Sequence, residues 1–131
     1  MKYSVFSNII LTFSIAVLIS CAGANAREST AWTGIYSGTI PAADGQGINV
    51  KITLNPDHTY LLEYNHIDKE GVFSEEGNFY RFKTSNFIVL QDSKYPKFYK
   101  VREGYLLQLD MEGKIITGDM EELYILKKNK T

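Results

Sequence analysis

The chain has 131 residues, 44% of them hydrophobic and 22% charged, with a formal net charge of -1 at pH 7 and a pI near 6.1. This length allows one domain with a single core, and the composition is that of a globular protein, not a disordered one. The nearly balanced charge excludes nucleic-acid binding through a concentrated basic face. Nine Tyr and seven Phe favour β-strands, because aromatic side chains fit a half-buried pleated surface.

The N-terminal segment, residues 1–20, is predicted to be a secretory signal peptide. It carries one positive charge, at Lys2, followed by an apolar run from Val5 to Ile19. This run is too short and too close to the N-terminus for a stable membrane span. We therefore expect the protein to be exported.

Two cleavage sites overlap after the apolar run. The first, "LISC", is typical of a bacterial lipobox, in which Cys21, the only cysteine of the chain, becomes the acylated N-terminus. The second, "ANA", would release a soluble periplasmic protein that begins at Arg27. We favour the lipobox, so residues 21–31 are predicted to tether the domain to the membrane through a lipid anchor. Because Ala22, not Asp, follows the cysteine, the expected location is the periplasmic face of the outer membrane.

Residues 32–131 are predicted to form one all-β domain, because apolar residues recur at every second position. In "NVKITL", Val50, Ile52 and Leu54 share one face, and "PDH" then turns the chain into "TYLLEY" to make a hairpin. The predicted strands are 32–39, 49–54, 59–64, 77–82, 86–91, 97–101, 105–109 and 123–128. About eight short antiparallel strands joined by tight turns predict a closed meander barrel or a small sandwich.

Catalytic residues are sparse. The two histidines, His58 and His66, are interpreted as solvated side chains in a predicted turn and at the start of a predicted loop. The acidic runs "SEE" (74–76) and "MEE" (120–122) are interpreted as solvated loop charges, and no nucleophile elbow is present. An enzyme is therefore not expected, since nucleophilic catalysis needs a nucleophile, a base and an orienting group together.

Metal ligands are sparse as well. Met111 and Met120 are the soft candidate ligands of the domain, with no histidine close to either of them in sequence. A soft copper site needs Cys, Met or clustered His, so no metal and no other cofactor is predicted.

The order and spacing of several segments resemble a known family. These segments are "WTGIYSGTIPAADGQGINVKITLNPDHTYLLEY", "GNFYRF", "NFIVLQDSKYPKFYKV" and "YLLQLDMEGKII". From Trp32 to Lys127 the chain resembles the N-terminal domain of the copper-resistance lipoprotein NlpE family. The resemblance implies a lipocalin-like barrel and a role in envelope stress signalling.

The loop "PAADGQG" departs from the family pattern. The family's C-x-x-C pair falls on Ala42 and Gly45, while Pro41, Asp44 and Gly47 match. Thiolates are the groups that bind soft metals and respond to redox state, so the thiol function that the resemblance would imply is absent. The candidate binding loop therefore consists of Pro41, Asp44, Gly45 and Gly47.

Several functions are compatible with these features. The leading hypothesis is a non-enzymatic, lipid-anchored envelope protein that binds or senses through a small barrel, with an envelope protein as a possible partner. The alternative is a soluble periplasmic carrier that holds a small apolar ligand, since a barrel of eight strands either fills with side chains or encloses one small molecule. Copper binding through Met and His is a third hypothesis.

Overall fold

The computed structural model describes residues 31–43, 45–94 and 97–130. Within these ranges the chain forms eight strands and a short 3-10 helix: β1 (Gly34–Ile40), β2 (Ile48–Leu54), β3 (Thr59–His66), β4 (Phe73–Phe82), β5 (Phe87–Leu90), β6 (Phe98–Arg102), β7 (Tyr105–Gln108), the helix (Glu121–Tyr124) and β8 (Ile125–Lys128). Each strand pairs antiparallel with the next, and β8 pairs with β1, so the sheet closes. The predicted all-β meander barrel is confirmed, and the sandwich alternative is wrong.

Several predicted features lie outside the described residues. They are the signal peptide (1–20), the lipidation site Cys21, the alternative cleavage site and Asp44 of the candidate loop. These features stay predictions. Within the described ranges, no helix combines the length and the apolar character needed to cross a bilayer.

The predicted hairpin of β2 and β3 is confirmed. Val50, Ile52 and Leu54 are all buried, and they pair with Tyr64, Leu62 and Tyr60 respectively. The buried residues of β2 alternate with more exposed ones, as expected for a strand with one face on the core. The hydrophobic pattern therefore sets the register, because a slip of one residue would turn every core side chain to solvent.

Side chains fill the interior of the barrel. Buried residues from all eight strands form one cluster, which includes Ile52, Leu62, Ile88, Leu90, Tyr99, Leu106 and Leu126, each with no exposed surface. Burying one such aliphatic side chain contributes about 1.5–3 kcal/mol. The barrel thus belongs to the filled type and not to the type with an open lumen.

Closure between β1 and β8 depends on a close backbone approach. Tyr36 pairs with Lys128, and Ser37 pairs with Lys127. A Cβ atom on Gly38 would lie 2.7 Å from the carbonyl oxygen of Ile125. Glycine at position 38 therefore lets β8 reach β1.

The barrel has two unlike ends. At one end, called the loop end below, lie the longer connections 41–47, 67–72, 91–97 and 109–124. At the other end, called the tether end because the predicted tether joins the barrel there, lie residues 31–33 and the short turns 55–58, 83–86 and 103–104. The first strand runs from the tether end to the loop end.

The predicted strand boundaries differ from the observed ones by at most two residues, and by four at the start of β4. The fourth strand begins at Phe73 and not at residue 77, so the run "SEE" lies within a strand and not in a loop. Glu75 is half-buried at the loop end, where its carboxylate accepts a hydrogen bond from the Ser93 hydroxyl at 2.7 Å. The eighth strand begins at Ile125, because residues 121–124 form the 3-10 helix.

Aromatic side chains close the tether end. The Trp32 ring meets His58 and Phe79 edge-on, with centroid distances of 5.4 and 5.6 Å, and His58 stacks on Phe79 at 5.2 Å. The Tyr36 hydroxyl donates to the Trp32 carbonyl at 2.8 Å, and burial raises the pKa of Tyr36. The interpretation of His58 as a solvated side chain was therefore wrong, since its ring is half-buried in this cluster.

Candidate functional site at the loop end

The candidate loop packs onto the barrel through small residues. Ala42 is half-buried and contacts the core, and Pro41 is half-buried beside it. Gly47 adopts φ 136°, and its carbonyl accepts a hydrogen bond from the Ile67 N–H at 3.0 Å. A Cβ atom on Gly47 would lie 3.1 Å from the Thr39 methyl group, so glycine suits this position in both conformation and space.

Gly45 lies against a carboxylate. A Cβ atom at this position would come within 2.6 Å of the Asp68 carboxylate. The resemblance places a family cysteine at position 45. The space that its side chain would need is filled here by the Asp68 carboxylate, from the connection between β3 and β4. The structure brings Gly45 and Gly47 together with Ile67 and Asp68, while Asp44 lies outside the described residues.

Among the described residues, the side chains at the loop end do not converge as metal ligands would. In the part of the chain that the structure describes, no group of three or more His, Cys, Asp and Glu side chains is placed to hold a metal ion. The two histidines lie at opposite ends of the barrel, His66 at the end of β3 and His58 in the first short turn. Met111 and Met120 are both exposed in the connection between β7 and β8.

Exposed apolar side chains collect at this end. The described residues include ten large hydrophobic side chains that are exposed, and seven of them lie at the loop end. This apolar rim consists of Ile67, Val72, Phe73, Met111, Ile115, Met120 and Leu123. Val72 is 70% exposed and Met111 is 71% exposed. Because exposed apolar side chains mark an interaction site where they form a patch, this end is the candidate interaction surface among the described residues.

Sequence reasoning missed the apolar rim. Its residues lie in connections or at strand ends, where no alternation indicates which side chains face solvent. Met111 and Met120 were considered only as possible copper ligands. They share one end of the barrel with Ile67 and Val72 because the meander brings the connections after β3 and after β7 to that end.

A hydrogen-bonded turn orders the start of the last connection. The Asp110 carboxylate accepts hydrogen bonds from the backbone N–H groups of Glu112 and Lys114 at 2.8 and 2.9 Å. The Lys114 N–H, followed by that of Glu112, holds the pKa of the Asp110 carboxyl below its usual range. Gly113 completes the turn with φ 81°.

Replacing this carboxylate is expected to make stability less dependent on pH. Because the folded pKa of Asp110 is lowered, its stabilising effect is present above the unfolded pKa and is lost as the pH falls through the folded pKa. Asp110→Asn should therefore lower the free energy of unfolding at neutral pH and have a smaller effect in acid. Urea titrations from neutral to acidic pH measure the loss of unfolding free energy in Asp110→Asn relative to the wild type. Asp119→Asn is the control, since it changes an exposed carboxyl of the same connection. If Asp110→Asn lowered the free energy of unfolding as much in acid as at neutral pH, a stabilising role of the ionised Asp110 carboxylate would be contradicted.

Comparisons with known proteins agree with this fold. The sequence profile described as the NlpE N-terminal domain matches residues 36–119, which is more than half of the chain. The crystal structure of a candidate lipoprotein from Shewanella oneidensis matches with a TM-score of 0.69 and 34% identity, over 86% of this chain and 100% of that one.

A second solved structure is also similar. The crystal structure of the Cpx pathway activator NlpE from Escherichia coli matches with a TM-score of 0.54 and 28% identity. The match covers 66% of this chain and 46% of that one. No curated protein sequence matches the chain significantly. The resemblance found in the sequence is confirmed, and the chain belongs to the NlpE N-terminal domain family.

Proposed function

We propose that the protein is a non-enzymatic envelope lipoprotein, anchored through Cys21, that presents the loop end of its barrel to an envelope partner protein. The observation that carries the proposal is the apolar rim on a barrel whose interior is filled. Because the core is complete without a ligand, the exposed apolar side chains at one end are the best candidates for binding.

The direction of β1 supports this arrangement. The predicted tether joins the barrel just before Trp32, at the end opposite the apolar rim. The seven residues of β1 rise about 3.3 Å each along a strand that tilts roughly 35–45° in a closed barrel, so the rim lies about 15 Å farther from the anchor than the tether end does. A lipid anchor at Cys21 would thus leave the rim accessible to other envelope proteins.

The names of the two similar structures support the same function. One is described as a candidate lipoprotein and the other as an activator of the Cpx pathway. An activator of a signalling pathway acts through contact with another component, so a protein partner fits the family. We propose a role in the envelope stress response at the periplasmic face of the outer membrane.

Copper chemistry through thiols is not included in the proposal. Ala42 and Gly45 stand where the resemblance places the cysteine pair, and neither residue can bind a soft metal. A soluble carrier of a small apolar ligand fits less well than partner binding. Such a ligand would have to separate side chains that have no exposed surface, such as Ile52 and Leu62.

Photocrosslinking in a producing cell tests the proposal. A photoreactive amino acid replaces Val72, which lies in the apolar rim, or Tyr80, an exposed aromatic residue on β4 outside the rim. We expect a discrete crosslinked protein from position 72 and much less from position 80. Equal crosslinking at both positions, or none at position 72, would contradict binding through the rim.

The same preparation tests the anchor. The intact mass of the uncrosslinked protein in the membrane fraction should correspond to a chain that starts at Cys21 and carries acyl groups. Cys21→Ser should move the protein to the soluble fraction. A soluble wild-type species that starts at Arg27 would instead show that the second cleavage site is used.

A further inference from the structure

A cavity of about 500 Å³ lies at the tether end. Its polar side chains are those of Trp32, Arg81, Asn86, Arg102 and Glu103, and Val101 supplies an apolar wall. Trp32 is the last residue but one before β1, and its side chain is 4% exposed. The cavity therefore opens where the predicted tether meets the barrel.

Two buried donors beside this cavity have no acceptor among the described residues. The Nε1 atom of Trp32 and the Nε atom of Arg81 are buried, and neither finds a hydrogen-bond partner within the described ranges. Both groups can only donate hydrogen bonds. The missing partner is therefore an acceptor, and leaving a buried donor without one destabilises the fold.

In the described part of the chain, the two guanidinium groups form no ion pair. The Arg81 guanidinium lies 5.6 Å from the centre of the Trp32 ring, and its hydrogen bond to the Asn86 side-chain oxygen is long at 3.4 Å. Among the described residues no carboxylate forms an ion pair with Arg81 or Arg102, although Glu103 also lines the cavity. Arg81 can therefore shift to uncover the buried donors without breaking a strong contact.

Charge is distributed unevenly along the barrel axis. For this count, each end comprises its connections or terminal segments and, from each strand, the two residues nearest to that end. The described residues of the tether end include six basic and two acidic side chains: Arg81, Lys83, Arg102, Lys127, Lys128 and Lys130 against Asp57 and Glu103. Those of the loop end include eight acidic and four basic side chains. An anion is thus attracted to the tether end and repelled from the loop end.

We infer that the cavity between Trp32, Arg81 and Arg102 binds a phosphate group. Guanidinium groups match the geometry of phosphate oxygens, and the unpaired donors supply further hydrogen bonds. If the proposed anchor places the tether end against the bilayer, the nearest phosphate groups are those of phospholipid headgroups, and anionic headgroups are favoured by the basic charge of this end. Binding of a headgroup would then orient the barrel with its apolar rim away from the membrane.

Fluorescence of Trp32, the only tryptophan, reports binding directly. The mature full-length protein in nonionic detergent is titrated with dihexanoylphosphatidylglycerol, with dihexanoylphosphatidylcholine and with inorganic phosphate. We expect a saturable change in Trp32 emission. Tighter binding of the phosphatidylglycerol would identify a lipid headgroup as the source of the phosphate, and equal binding of inorganic phosphate would identify the free anion.

Matched variants separate this site from general charge effects. Arg102→Gln should weaken binding about tenfold or more, since it removes a charge-assisted contact. Arg102→Lys should weaken binding by an intermediate factor, because lysine keeps the positive charge but cannot form the two parallel hydrogen bonds of a guanidinium group. Lys100→Gln, which removes a positive charge two residues earlier on the same strand, should leave affinity within about twofold.

Two results would overturn the inference. One is the absence of a saturable change with both phosphatidylglycerol and inorganic phosphate. The other is an equal loss of affinity in Arg102→Gln and Lys100→Gln. Because the titration is done in detergent, its outcome does not depend on acylation of Cys21 or on a partner at the apolar rim, so failure of the proposed function would be distinguishable.

Discussion

Leu62→Ala is expected to lower the free energy of unfolding by about 2–5 kcal/mol, the range for truncating a leucine in a packed core. Leu62 pairs with Ile52 at the centre of the barrel and has no exposed surface. Removing the three outer carbons of this side chain would leave a cavity that the closed sheet cannot collapse around. Chemical denaturation followed by circular dichroism measures the loss.

The preceding residue provides a matched control. Leu61 belongs to the same strand, but its side chain points to the outer face and is half-buried. Leu61→Ala should therefore cost clearly less than Leu62→Ala. Equal costs would mean that the interior is not filled, and they would revive the carrier hypothesis, in which an apolar ligand occupies the barrel.

Gly38→Ala is expected to destabilise the protein by about 1–3 kcal/mol, the usual cost of overpacking. The added methyl group would meet the Ile125 carbonyl at 2.7 Å and a Leu126 methyl group at 3.2 Å. Since the first contact is with backbone, relief requires β1 and β8 to separate. The loss is therefore expected at the seam that closes the barrel.

Gly77→Ala is the matched control for this substitution. At Gly77 the nearest atom to an added methyl group belongs to the Tyr60 ring, at 3.2 Å, and not to backbone. A side chain can move by a few tenths of an ångström, and alanine lowers the entropy of the unfolded chain, so the change should be small. Gly38→Ala and Gly77→Ala with equal effects would contradict the proposed role of position 38.

The local pattern of the sequence was sufficient for most strands. Alternation in "NVKITL" places Val50 and Ile52 on the core face, and the structure agrees. The start of β4 was missed because Glu75, near the loop end, faces inward and still reaches solvent. Since a charged residue stands at an inward position, apolar and polar residues do not alternate there as they do in the other strands.

Pairings between distant residues could not be predicted. A closed meander was expected from the number of strands, but nothing near Tyr36 indicates that it pairs with Lys128. The same limit applies to the sites. The sequence placed Gly45 and Gly47 in the candidate binding loop, but the carboxylate of Asp68 beside Gly45 became visible only in the folded chain.

Closure also restricts how a partner can be recognised. Each of the eight described strands has a neighbour on both sides, so no strand is a free edge along its whole length. Pairing covers only part of some strands, since β8 meets β1 at Tyr36 and Ser37 and β5 meets β4 only from Phe79 to Phe82. An extended peptide could therefore add only along these short uncovered segments, because this mode requires an exposed sheet edge. Recognition of this barrel is expected to depend mainly on side-chain chemistry, and a peptide that mimics only the backbone of a partner should compete poorly for it.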